Sequence, residues 1–103
     1  MKQLTGETFA SLVAEHDGLV VIDFYADWCG PCRMMAPVME EIEKEYPTVA
    51  FYKVNVDAER DLAMKFHVES IPMIALVKDD TFLDMSLGYV PKDTITRLID
   101  EHL

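Results

Sequence analysis

Cysteine is scarce in this chain: only Cys29 and Cys32 occur in 103 residues, and the loop they would close is too short to remove much entropy from the unfolded state. A disulfide framework that holds a small core together is therefore excluded. A zinc site needs about four ligands, and His16, His67 and His102 are scattered along the chain, so no bound metal is expected. Long hydrophobic runs are missing too. Leu19 to Ile22, continuing past Asp23 to Phe24, Tyr25 and Ala26, falls far short of the roughly twenty apolar residues of a membrane span. No basic segment followed by an apolar stretch and a small-residue cleavage site opens the chain, so a secretory signal is not expected. Positive charge is also in short supply, with 9 Lys and Arg against 19 Asp and Glu for a formal net charge of -10. Such a balance repels phosphate backbones and anionic lipid surfaces, which argues against nucleic-acid and membrane partners. Repeats, linkers and low-complexity segments are absent, and the length suits one core, so a single domain over residues 1–103 is expected.

What remains is an alternation of β and α patterns. Phe9, Leu12 and Val13 recur at helical spacing, predicting a short amphipathic helix that ends near His16 before Asp17-Gly18. Leu19 to Tyr25 is apolar and β-branched apart from Asp23, the signature of a central strand covered on both faces. From Pro31 to Tyr46 the positions Met35, Val38, Met39 and Ile42 line one helical stripe, with Pro37 inside the helix and Pro47 ending it. Val49 to Val56 reads as a strand, and Asp57 is expected to cap a short helix carrying Leu62, Ala63 and Phe66. Met73 to Val77 and Phe82 to Leu87 form an expected hairpin through Lys78-Asp79-Asp80-Thr81, Gly88 marks a bulge or turn, and Pro91 opens a last helix with Ile95, Leu98 and Ile99. This order gives an α/β fold, a central mixed β-sheet flanked by helices on both faces. Ligand sites in such sheets lie at the carboxyl ends of central strands, and Cys29 follows the strand Leu19 to Tyr25.

In Trp28-Cys29-Gly30-Pro31-Cys32, Cys29 lies at a helix N-terminus, where free N–H groups and the macrodipole favour a thiolate. It is the expected nucleophile. Cys32, one turn deeper, is the expected resolving thiol, shielded from partners but within bonding reach of Cys29. Lowering a thiol pKa from about 8.5 to about 7 raises the thiolate fraction at neutral pH roughly fifteenfold and costs roughly fivefold in intrinsic nucleophilicity. Capture therefore gains only a few-fold, while Cys29 also becomes a better leaving group when Cys32 attacks.

The run Val21-Ile22-Asp23-Phe24-Tyr25-Ala26-Asp27-Trp28-Cys29-Gly30-Pro31-Cys32-Arg33 closely resembles the active-site segment of thioredoxins. Pro37, Lys53, Asp57, Ile71-Pro72 and Gly88 extend the resemblance over nearly the whole chain. It implies the thioredoxin fold, and for Asp23 the role of a buried carboxylate that exchanges a proton with Cys32, its pKa raised by burial. Pairing with Lys53 for stability alone is the other reading of Asp23. Lys53 would tune that carboxylate, unless it is only a solvated strand lysine. The resemblance makes Pro72 a cis-proline, although residue statistics alone favour trans. Ile71 would offer backbone groups to an extended substrate peptide. Trp28, Gly30, Pro31, Ile71, Pro72 and Gly88 would form a flat, mostly apolar docking patch around Cys29; simple packing is the alternative for Trp28.

Three positions depart from the family pattern: Ser70 for a frequent glycine, Met73 for a usual threonine after Pro72, and Asp80 for a hairpin glycine. Ser70 and Met73 are expected beside the docking patch, where they would bear on partner choice. The Gly30-Pro31 dipeptide resembles that of reducing members, implying a protein-disulfide reductase recharged by an NADPH-dependent flavoprotein reductase. The expected chain binds no cofactor, carries a reversible Cys29–Cys32 disulfide, acts on disulfide-containing client proteins, and is a cytoplasmic monomer. Two other functions stay open from sequence: an oxidising or isomerising oxidoreductase, and a non-catalytic subunit that binds through the apolar patch.

Overall fold

The computed structural model describes all 103 residues. Five strands, β1 (Lys2–Gln3), β2 (Leu19–Tyr25), β3 (Ala50–Asn55), β4 (Met73–Lys78) and β5 (Thr81–Leu87), alternate with three helices, α1 (Gly30–Glu45), α2 (Arg60–Lys65) and α3 (Lys92–His102). The sheet order is β1-β3-β2-β4-β5. β1, β3 and β2 run parallel, and β4 and β5 are antiparallel additions. This is the expected mixed sheet.

β2 sits at its centre because its side chains suit burial on both sides. Val20, Ile22 and Phe24 pack with Phe9, Val54, Leu62 and Val77 on one face. Leu19 and Val21 pack with Met35, Met39, Ile42, Ile95 and Ile99, from α1 and α3, on the other. Strand alternation puts Asp23 on this second face, the side of α1. The two helices there are tied at their ends by Lys92 Nζ, 3.0 Å from Glu41 Oε1 and also paired with Glu45.

Several local features differ from the sequence reading. β1 was not foreseen, since two residues show no period, yet its register is definite: Lys2 pairs with Tyr52 and Gln3 with Lys53. The first helix is a short π-helical segment, Ala10–Ala14, in which the Glu15 N–H reaches Ala10 O at 2.9 Å. Asp57 does not cap α2, which begins at Arg60 with Glu59 at the cap position. Pro91 holds the N-cap position of α3, one residue before its first turn. Pro37, by contrast, lies inside α1 as the sequence reading places it.

The β4–β5 hairpin turns on Asp79 (φ 53°) and Asp80 (φ 61°). Two consecutive left-handed residues are what a two-residue hairpin of matching twist requires, and aspartate tolerates that conformation less well than asparagine or glycine. The paired replacement Asp79→Asn with Asp80→Gly is expected to raise the unfolding free energy by about 1 kcal/mol, read from urea denaturation midpoints at constant slope. An unchanged or lowered midpoint contradicts this account of the turn.

Candidate active site

β2 ends at Tyr25, whose carbonyl accepts the Val56 N–H at 2.9 Å. The chain then crosses Ala26, Asp27 and Trp28, and the Cys29 N–H closes the turn on Ala26 O at 3.2 Å. Cys29 is the N-cap of α1, in extended conformation (φ -88°, ψ 109°), and its Sγ accepts the Cys32 N–H at 3.2 Å. A sulfur thus satisfies one of the free N–H groups at the helix start, and Pro31, which has no N–H, fits the first turn without leaving another donor unpaired. Arg33 braces the turn, donating from Nη1 to Asp27 O at 2.7 Å. Cys29 and Cys32 are joined as a disulfide with their Cα atoms 5.2 Å apart.

Exposure does not distinguish the two sulfurs as expected. Cys29 is 5% and Cys32 4% exposed, packed with Ala26, Tyr25, Val56 and Ile71. Their surroundings do differ. Cys29 Sγ lies 3.9 Å from the Ile71 carbonyl oxygen, and the adjoining Trp28 is exposed. Cys32 instead lines a cleft of about 180 Å³ together with Asp23, Tyr25, Arg33 and Lys53.

The Ile71-Pro72 bond is cis. Gly88, left-handed at φ 78°, donates its N–H to Pro72 O at 2.8 Å, which fastens the segment before α3 to the segment before β4. A residue with a Cβ is strained at this φ. The expected docking patch is modified. Trp28 and Pro31 are exposed and Gly30, Ile71 and Gly88 half-buried, but Pro72 is buried, a wall behind the surface rather than part of it. Met73 is also buried, in the core on the α2 side of the sheet, because β4 is covered on both faces. Of the two departures expected beside the patch, only Ser70 is exposed.

Asp23 is 4% exposed and its Oδ1 has no hydrogen-bond partner. Burial pushes its pKa up to about 7 against the opposing pull of the Lys53 charge. Lys53 is Asp23's register neighbour on β3, but the two form no ion pair within 4.0 Å, and the ammonium lies over the Tyr25 ring at 5.8 Å from its centroid. The reading of Asp23 as a salt-bridged stabilising group is therefore not supported.

Contacts unforeseen in sequence complete the site. The Trp28 indole N–H donates to Asp57 Oδ2 at 2.8 Å, across 29 residues of chain, which no local pattern reveals. Tyr25 OH accepts from Gln3 Nε2 at 2.6 Å, a bond that depends on β1. The Asn55 turn, in which Asn55 Oδ1 accepts the Asp57 N–H at 2.9 Å, was readable in principle, because an asparagine at a strand end commonly bonds the backbone two residues on. Two features lie outside the site. A groove of about 460 Å³ lined by Phe9, Phe66 and Phe82 contains neither cysteine, nor does the partly buried group Asp84, Glu101 and His102, whose donor atoms lie within 4.8 Å of one another.

A sulfur-capped helix, a cis-proline beside it and a buried carboxyl behind it occur here within one mixed sheet. The thioredoxin family model matches residues 1–101. The chain is 43% identical over 102 residues to the thioredoxin of Chlamydia caviae, covering 99% of this chain and 98% of that protein. It is 40% identical over 102 residues to thioredoxin 1 of a Nostoc species, covering 98% and 95%. The X-ray structure of Fasciola hepatica thioredoxin superposes with a TM-score of 0.93 at 37% identity, covering all of both chains.

The chain belongs to the thioredoxin family. It has the thioredoxin fold and is a thiol-disulfide oxidoreductase of the protein-disulfide reductase type. Thioredoxins work through their cysteine pair without needing a cofactor, receive electrons from a thioredoxin reductase and pass them to disulfide-containing proteins. None of the helices in this thioredoxin is long and apolar enough to cross a membrane.

The raised Asp23 pKa has a consequence for stability. Between pH values of about 4 and about 7 the folded chain keeps the Asp23 proton while the unfolded chain has lost it, so stability falls as pH rises through that window. Three pKa units correspond to at most about 4 kcal/mol. Asp23→Asn in the oxidised protein should flatten this slope and be more stable than the parent at pH 8 by about 2 kcal/mol or more. Urea unfolding as a function of pH checks this. A variant equal to or less stable than the parent at pH 8 contradicts it.

Proposed function

We propose that Cys29 is the attacking thiol, Cys32 the resolving thiol and Asp23 the proton acceptor in the reduction of client disulfides. The observation that carries this reading is the asymmetry around the pair: Cys29 Sγ caps α1 beside the exposed Trp28, whereas Cys32 lines the cleft that holds Asp23. In the reduced protein, the Cys32 N–H and the N-terminus of α1 favour the Cys29 thiolate. This thiolate attacks one sulfur of the client disulfide, forming a mixed disulfide and expelling the other client sulfur as a thiolate. Cys32 gives its proton to Asp23 and attacks Cys29 Sγ. The Cys29–Cys32 disulfide forms, the second client sulfur leaves, and two electrons have passed to the client. A carboxyl with a pKa of about 7 is matched to accepting a proton at neutral pH.

In the same reading, Trp28, Gly30, Pro31, Ile71 and Gly88 form the docking surface and Pro72 supports it from beneath. Lys53 tunes Asp23 by its charge. The electron donor is an NADPH-dependent flavoprotein reductase, and the chain works as a monomeric single domain, residues 1–103, in the cytoplasm. The Gly30-Pro31 dipeptide supports the reducing direction.

Trapping tests the role assignment. Cys32→Ser should hold clients on Cys29 as mixed disulfides that dithiothreitol releases, detected by non-reducing electrophoresis and mass spectrometry, while Cys29→Ser should trap none. Trapping by the Cys29 variant instead reverses the roles. Direction is tested by the reduction potential of the pair, expected below about -230 mV; a value well above that supports an oxidant or isomerase.

A further inference from the structure

Trp28 is the chain's only tryptophan and is 69% exposed, yet its ring has a fixed polar anchor in the 2.8 Å hydrogen bond to Asp57 Oδ2. Asp57 is itself exposed and lies in the connection between β3 and α2. A carboxylate on such a connection samples several rotamers, and a hydrogen bond between exposed groups contributes little unless one partner is already held. The holding comes from Asn55. Its side-chain Oδ1 accepts the N–H of Asp57 at 2.9 Å and of Ala58 at 3.2 Å, and its backbone carbonyl accepts the N–H of Glu59 at 2.9 Å. Asn55 is in turn the last residue of β3, in register with Tyr25 at the end of β2, and the next residue, Val56, donates its N–H to Tyr25 O at 2.9 Å. The position of Asp57 is thereby referred to the same strand end from which the Trp28-Cys29 turn departs.

We propose that Asn55 is a positioning residue for client docking. Its side-chain amide oxygen folds the β3–α2 connection so that Asp57 holds the Trp28 ring at one orientation beside Cys29. Asn55 touches neither sulfur and has no part in the electron transfer; it acts through Asp57 on the surface that a protein client meets. The inference rests on the reading of Trp28 as a docking residue. It adds to that reading a cause for the fixed ring and a specific sensitivity: protein disulfides, which need the docking surface, depend on Asn55 more than small disulfides do.

The test uses pre-reduced full-length protein in single-turnover stopped flow, with insulin as the protein disulfide and 5,5′-dithiobis(2-nitrobenzoate) as the small one. Asn55→Ala is expected to lower the ratio of the insulin rate to the small-disulfide rate about fivefold. It should also increase the fast component of Trp28 time-resolved fluorescence anisotropy. Because Asn55 acts through Asp57, Asn55→Ala combined with Asp57→Ala should lower the ratio no further than Asp57→Ala alone. Asn55→Asp keeps an acceptor oxygen in place and should restore the slow anisotropy decay, which separates positioning from general loss of structure. Multiplicative effects of the two substitutions, an unchanged Trp28 anisotropy in Asn55→Ala, or equal slowing of both disulfides overturns the proposal. Trp28→Ala isolates the underlying reading. If it leaves the insulin rate unchanged, Trp28 is not a docking residue, while the anisotropy of the Asn55 variants still reports separately on whether Asn55 holds the ring.

Discussion

A strand buried on both faces has to end somewhere, and where β2 ends the chain must supply partners for the free backbone groups of a strand terminus and a helix start at once. The resolution at Tyr25 to Cys32 shapes everything around it. The Tyr25 carbonyl is taken by Val56, the Cys29 N–H folds back to Ala26, and the first turn of α1 is closed by a sulfur. Because these bonds tie the turn to the centre of the sheet, Cys29 Sγ is held 3.9 Å from the Ile71 carbonyl oxygen, next in sequence to the exposed Trp28. The same accommodation that caps the helix places a sulfur where helix N–H groups favour negative charge. Structure and reactivity share one set of hydrogen bonds.

Asp23 works against the fold that surrounds it. A carboxylate on the central strand with an unpartnered oxygen loses hydration without full compensation, and a valine would suit the neighbouring side chains better. Local rules are broken in this way most often at functional sites. Lys53 moderates the penalty by its charge without pairing directly, since its ammonium is held near the Tyr25 ring. The carboxyl consequently stays near neutrality rather than being locked as an anion, which is the condition for accepting and returning a proton. A direct ion pair would have stabilised the strand and removed that capacity.

Around this centre the site is assembled from three separate stretches of chain. Lys53 and Asn55 come from β3, Asp57 from the connection after it, Ile71 and Pro72 from the approach to β4, and Gly88 from the segment before α3. Gly88 binds the last two together through Pro72. The surface around Cys29 is consequently less apolar than the expected patch: Pro72 is buried, and the exposed Trp28 donates to an acid. Ser70, rather than Met73, is the exposed one of these two departures from the family pattern.

The sequence by itself determined the alternation of strands and helices, the centrality of β2, the identity of the redox pair and the anomaly of Asp23. Each of these is written in periods or spacings of a few residues, and the family resemblance extended them to the cis-proline and the reductase chemistry. What only the tertiary structure decided is how distant groups meet. The two-residue β1 has no period and exists through its pairing with β3. Asp57, which reads locally as a helix cap, belongs instead to Trp28, because a side chain's best partner is set by what the fold brings within about 3 Å and not by its neighbours in sequence. Met73 and Pro72 are likewise buried by what the fold packs around them, since β4 is covered on both faces. The two cysteines look unequal in sequence and equally covered in the folded disulfide, and their difference lies in the groups that the sheet and its connections place beside each one.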